Sequence, residues 1–308
     1  MNLWKRYWGS GRADDANSAS MISDQLGMAS SRAMFIRRFK RHKLAVAGVM
    51  FMSIVTICAI FAPWIAPYHP TEITDSFAEA PSFQHWLGTD LVGRDMLSRL
   101  IYAARVSLSV GIGAVVIAAA IGTVLGLLSG YVGGWVDGLI MRITDIFMSF
   151  PYIMFILVVA SIVGSGLTNI IIILGVLGWP GIARLVRGNV LAIKQSDYVK
   201  ASVALGFRTP RILFKHILPN TMAPILVYAT SGVAGAILDE AALSFLGLGV
   251  QPPDASWGNM LSSAQLISVL TSQPWLWLPP GIMVLLCVLS INYIGDALRD
   301  AFDPKNGK

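Results

Sequence analysis

The segment "KASVALGFRTPRILFKHILPN", residues 200–220, is basic, helix-forming and interrupted by one glycine, yet it lies between two long apolar runs. A charged helical elbow between two oily stretches needs a second phase around it, and composition supplies that phase. The 308 residues are 55% hydrophobic and 13% charged, about half the ~25% charge of a soluble domain. The net charge of +6 is gathered into patches between apolar runs, which argues against nucleic acid as a partner and for a lipid bilayer.

Residues 44–66 hold 23 positions without a charge. As a helix they reach about 35 Å, enough for a ~30 Å hydrocarbon core. This run is longer than a signal-peptide core and is expected to remain as an anchor. Further spans are expected at about 106–129, 141–163, 168–186, 217–240 and 275–296, with "GSG" at 164–166 dividing an uncharged run too long for one crossing. The expected class is an all-α polytopic membrane protein with six transmembrane helices.

Charge gives the orientation. Nine Lys or Arg precede residue 44, and seven fall within 184–216 against the single acid Asp197. Residues 67–100 carry two bases against five acids, and 247–273 carry only Asp254. With six spans, both base-rich segments fall on one side, so both termini and the elbow are expected in the cytoplasm. The expected organisation is a cytoplasmic segment 1–43, a first helix 44–66, and an outer loop 67–105 with an interfacial helix. A five-helix core 106–296 would follow, including the elbow at about 187–216, and then a tail 297–308.

Within the elbow, Ser196 is a candidate cap for a short helix starting at Asp197. Gly206 ends it through a left-handed position, and Thr209–Pro210 restarts the chain as a cap followed by a first-turn proline. Tyr198, Val199, Val203, Leu205 and Phe207 give this helix–turn–helix more apolar surface than a free loop needs. That surface can lie on a bilayer or dock into another protein; residue types alone leave both open.

The elbow resembles the coupling loop of permease subunits of binding-protein-dependent ABC importers. Their pattern of Glu-Ala-Ala, three residues, Gly, and a later Leu-Pro is matched here by Lys200-Ala201-Ser202, Gly206 and Leu218-Pro219. Lys200 stands where the family carries an acid, and Ser202 where it carries a second alanine. "FAPWIAPYHP", "HWLGTDLVGRDMLSRLIYAARVSLSVG", "DEAALSFLGLGVQPPDASWGNML" and "GDALRDAFDP" are similar to the dipeptide/oligopeptide/nickel group of C-subunit type, over about residues 33–303. The resemblance implies a type I ABC importer permease fold in a bacterial inner membrane and import of dipeptides or oligopeptides. Its implied partners are a second homologous permease, two cytoplasmic ATPases and an extracytoplasmic substrate-binding protein. In that family the loop inserts into a cleft on the ATPase, which makes Asp197, Tyr198, Lys200, Ala201, Ser202, Gly206, Phe207 and Pro210 the expected coupling residues. Nickel complexes, glutathione or another small solute are alternative cargoes, and an ion-driven secondary carrier is an alternative mechanism.

Other chemistry is sparse. The only Gly-Lys pair is Gly307-Lys308, so no phosphate-cradling loop is present, and ATP with Mg would be used by partner subunits. No catalytic constellation is expected, and no cofactor or metal in this chain. Cys58 and Cys287 sit in apolar runs, and Thr89, Asp90 and Asp95 lack the spacing of a calcium loop. Asp95 is instead expected to cap a helix carrying Met96, Leu97, Leu100 and Ile101 on one side. Asp239 and Glu240, near the end of the fifth span, are expected at the outer mouth, either as structural caps or as contacts for cargo.

Overall fold

The computed structural model describes residue 36 and residues 38–302, so most of the basic segment before residue 44, and the end of the tail, lie outside the described residues. What is described is helical throughout apart from its connections. Helix α1 (Lys43–Ile60) is followed after Phe61 by the single turn α2 (Ala62–Ile65), with Pro63 in its first turn. Helix α3 (Met96–Val132) runs unbroken for 37 residues, about 55 Å. Helices α4 (Gly134–Ser149) and α5 (Tyr152–Val163) are bent against each other by 89°. Helices α6 (Leu167–Leu177) and α7 (Trp179–Lys194) form one 28-residue span.

The elbow helix α8 (Asp197–Ala204) precedes α9 (Thr209–Ile212), a π-helical turn at Leu213–Ile217, and α10 (Leu218–Phe245). The short helices α11 (Trp257–Leu261) and α12 (Ile267–Ser272) lead to α13 (Leu278–Phe302). Among the described residues, five helical runs are long and apolar enough to cross a membrane, and the bent pair α4–α5 makes a sixth crossing if counted as one span.

Two extents differ from expectation. The helix capped by Asp95 leads into the second span as expected, but as one unbroken helix from Met96 rather than as a separate interfacial helix. Asp95 accepts from Ser98 N at 2.7 Å, and no proline or glycine turn interrupts the next 37 residues. The third span is broken at Phe150–Pro151. Pro151 has no N–H and disfavours helix at the residue before it, and Phe150 is accordingly extended (φ −90°, ψ 145°).

Contacts between helix ends show which connections share a side. Lys194 Nζ donates to Tyr131 O at 2.7 Å, and His42 Nε2 lies 3.2 Å from Asp300 Oδ2. At the opposite end Gly166 N donates to Gly249 O. The elbow therefore lies on the same side as residues 42 and 300.

The centre of the bundle is the α3–α7 contact. Gly122, Gly126 and Gly130 recur every fourth residue along α3, on one face of the helix. A Cβ at Gly126 would lie 2.6 Å from Ala183 O, and one at Gly130 would lie 2.8 Å from Val190 Cβ. Small residues at this spacing let two backbones approach closely, the main source of association where lipid removes the hydrophobic drive. By contrast α1 is peripheral: 22% of its apolar window is buried, against 56% for the α6–α7 span.

Candidate functional site

Three regions carry chemistry: the elbow, the junction around Asp95 at the start of α3, and a recess beside Asp239. In the elbow, Ser196 occupies the cap position of α8, but its side chain makes no capping bond; Ser196 Oγ donates instead to Ile193 O at 2.6 Å. The other end is fully capped. Gly206 takes φ +75°, Gly206 N donates to Val203 O at 2.9 Å, and Phe207 N donates to Ser202 O at 3.1 Å. These two bonds are a Schellman closure, which needs a left-handed residue at this place.

Val199 (1% exposed) and Ser202 (6% exposed) are the buried residues of α8; Val199 packs in a cluster with Val186, Val190, Ile212 and Ile217, and Ser202 Oγ donates to Tyr198 O. Asp197, Tyr198, Lys200 and Ala201 face outward. Tyr198 and Leu205, seven residues apart on one helical face, are 47% and 73% exposed. Phe207 is half-buried, with the Arg211 guanidinium 4.4 Å from its ring centre and His216 stacked at 6.3 Å. Pro210 is exposed and sits second in α9, whose first residue is Thr209 and whose cap is Arg208, one position earlier than expected.

The bases leading into the elbow are structural, a role that sequence reading missed. Arg187 Nε and Nη2 donate to Asp137 Oδ1 and Oδ2 at 2.6 and 2.7 Å, a bidentate pair to which Ser129 Oγ also donates. Arg184 Nη2 meets Asp145 Oδ1 at 2.6 Å. Together they tie α7 to α4. The pairing of 137 with 187 spans fifty residues, and nothing local announces it.

At the start of α3 Asp95 caps the helix as expected and also pairs with His85 Nδ1 at 2.9 Å, both groups being buried. Asp90 accepts from Val92 N and Arg94 N and pairs with the Arg94 side chain at 2.7 Å. The carboxylates of this turn are thus committed to the chain's own donors. No three His, Cys, Asp or Glu side chains converge in a metal-binding group among the described residues.

The two neighbouring acids of α10 have different environments. Glu240 is 0% exposed and accepts from Ser107 Oγ at 3.1 Å and Ser244 Oγ at 2.7 Å. Those hydroxyls in turn accept from Trp257 N and Val250 N. Glu240 therefore joins α3 and α10 to the loop that carries Val250 and Trp257. Asp239 points elsewhere, into a recess of about 380 Å³ walled by α3, the α4–α5 break, the α6–α7 junction and α10. Tyr152 and Tyr228 also line it.

The geometry has counterparts among known proteins. Residues 122–308 match the family model described as "Binding-protein-dependent transport system inner membrane component". Residues 30–83 match that of the "N-terminal TM domain of oligopeptide transport permease C". The chain is 44% identical over 278 residues to the di/tripeptide transport system permease protein DppC of Pseudomonas aeruginosa, covering 88% of this chain and 91% of that protein. It is also 44% identical over 273 residues to the glutathione transport system permease protein GsiD of Escherichia coli, covering 88% and 89%. Inward-facing structures of the MetNI methionine ABC transporter share the fold, with TM-score 0.55 at 22% identity over 68% of this chain and 98% of that one. The chain therefore belongs to the binding-protein-dependent transport system inner membrane components, as a non-catalytic, multi-pass ABC-importer permease subunit of the peptide/nickel/glutathione C-type group.

Proposed function

We propose that this subunit imports short peptides, forming half of a translocation path with a second homologous permease and coupling it through α8 to two cytoplasmic ATPases. A substrate-binding protein would deliver the cargo to the opposite face. The observation that carries the reading is a short helix in which Val199 and Ser202 are buried while Tyr198 and Leu205 stay exposed. An apolar stripe on a rigid projection suits the cleft of a partner protein better than water. Exposed Lys200 and its neighbours on this helix are the surface that the ATPase would grip, and the side bearing α8 is then the cytoplasm.

Cargo is read from relatives. One is named for di- and tripeptides and another for glutathione; glutathione is itself a tripeptide with a free ammonium group. The test is copurification. Leu205→Asp and Tyr198→Asp should leave the chain in the membrane while the ATPases are lost from the purified complex. Retention of both ATPases by the double variant would remove α8 as the coupling element. Uptake of trialanine into proteoliposomes holding the complete complex tests the cargo.

A further inference from the structure

We infer that the recess beside Asp239 is a transit site for the cationic amino terminus of the cargo, an inference resting on the peptide-import reading above. Tyr228, Gly232, Gly235 and Asp239 lie at i, i+4, i+7 and i+11 of α10, a single helical face, and all four line the recess. The face is tyrosine, two glycines, then carboxylate.

The glycines are informative because packing explains one of them and not the other. A Cβ at Gly232 would meet Val115 Cγ2 at 3.3 Å, whereas a Cβ at Gly235 would meet nothing within 4 Å. A glycine inside a helix costs roughly 0.5–1 kcal/mol relative to alanine. At 235 that cost yields no closer helix contact; what it leaves is open space beside a carboxylate.

Asp239 is half-buried and has no hydrogen-bond donor or cationic partner among the described residues. An acid in this depth of a membrane protein is costly and ordinarily paired, as the neighbouring Glu240 is. None of the described residues lining the recess is basic. Tyr152 and Tyr228 line the recess with Asp239, and the remaining wall is apolar, with Phe147 and Phe150 among it. One carboxylate, two phenolic hydroxyls and an apolar wall suit the ammonium end and small side chains of a short peptide, whose own carboxylate would stay outside a recess that has no base to receive it. The recess volume falls at the lower end of the ~300–1,000 Å³ of small-molecule sites, appropriate to a di- or tripeptide. Asp239 stands six residues before the end of α10, about 9 Å along its axis, so cargo entering from the outer end meets it early. A single unpaired charge draws the ammonium group out of water, and one contact is weak enough to release it inward.

The experiment uses the complete complex in proteoliposomes, with saturating substrate-binding protein and trialanine. Asp239→Asn should lower uptake at least tenfold while receptor-stimulated ATP hydrolysis stays within twofold of wild type. In a Cys58→Ala, Cys287→Ala background, Asp239→Cys should be similarly impaired. A thiol-reactive sulfonate should restore uptake, and a thiol-reactive trimethylammonium reagent should not. Uptake by Asp239→Asn within twofold of wild type, or equal effects of the two reagents, would overturn the site while leaving peptide import standing. A wild-type complex that hydrolyses ATP but takes up no trialanine would overturn both.

Discussion

Gly206 allows the coupling reading to be tested in graded steps. Its φ of +75° lies where an L-residue pays about 1–2 kcal/mol, and no heavy atom lies within 4 Å of the Cβ position. A side chain here therefore strains the backbone without clashing with the bundle. The damage is confined to the two bonds that close α8, from Gly206 N to Val203 O and from Phe207 N to Ser202 O. Asparagine tolerates this region best, alanine less well, and a β-branched residue least. Assigning roughly 0.4, 1 and 2 kcal/mol to Asn, Ala and Val lowers the closed-to-open equilibrium constant of the elbow by about 2-, 5- and 30-fold, at 1.4 kcal/mol per decade. Peptide transported per ATP hydrolysed in proteoliposomes should fall in that order, with membrane insertion unchanged across the series. A Gly206→Val complex that couples transport to hydrolysis as well as wild type would refute the mechanical role of the turn. Loss of insertion in all three variants would also count against it, by moving the role of the residue to folding.

Three further outcomes are expected. Gly126→Ala should destabilise the detergent-solubilised chain by about 1–3 kcal/mol through overpacking against Ala183 O. Gly188→Ala, with no neighbour within 4 Å, should raise its melting temperature slightly, by up to ~1 kcal/mol of stability; equal behaviour of the pair would show that the α3–α7 approach is looser than described. Glu240→Ala leaves the Ser107 and Ser244 hydroxyls without their acceptor, about 1–3 kcal/mol per orphaned group, so thermal unfolding should come earlier, whereas Asp239→Asn should leave it unmoved. Finally, Lys200→Cys, in a chain lacking the two native cysteines, should react with a membrane-impermeant maleimide only after cells are opened; labelling of intact cells would reverse the orientation.

What the chain discloses by itself divides along the range of the forces involved. Gly206 and Asp95 were legible because a left-handed helix stop and an N-cap are decided within a few residues. Ser196 was legible as a helix start, but not in its bonding, since its hydroxyl turns back to Ile193. The break at Phe150–Pro151 had a local signal, the proline, masked by an uncharged run that reads as one crossing. Asp95 marked the start of α3, but the membrane span read as beginning only at residue 106, because Arg99 and Arg105 precede the uncharged run; the fold places Asp90 3.6 Å from Arg99. Asp239 and Glu240 are adjacent and indistinguishable in sequence. Only the fold brings Ser107, 133 residues away, to one of them and leaves the other facing open space.

The unbroken length of α3 has a mechanical consequence. A 55 Å rod exceeds the ~30 Å hydrocarbon layer by about 25 Å, so it protrudes from the bilayer. Its first turn is clamped into the preceding loop through Asp95 and His85, and its last turn is gripped by Lys194 at the root of the elbow. With no flexible joint between those clamps, a tilt of ~10° about one end would sweep the other through roughly 10 Å. Under the proposed function, a small reorientation at the end where cargo would arrive would be geared up into a large displacement at the elbow, and the reverse stroke would travel through the same lever.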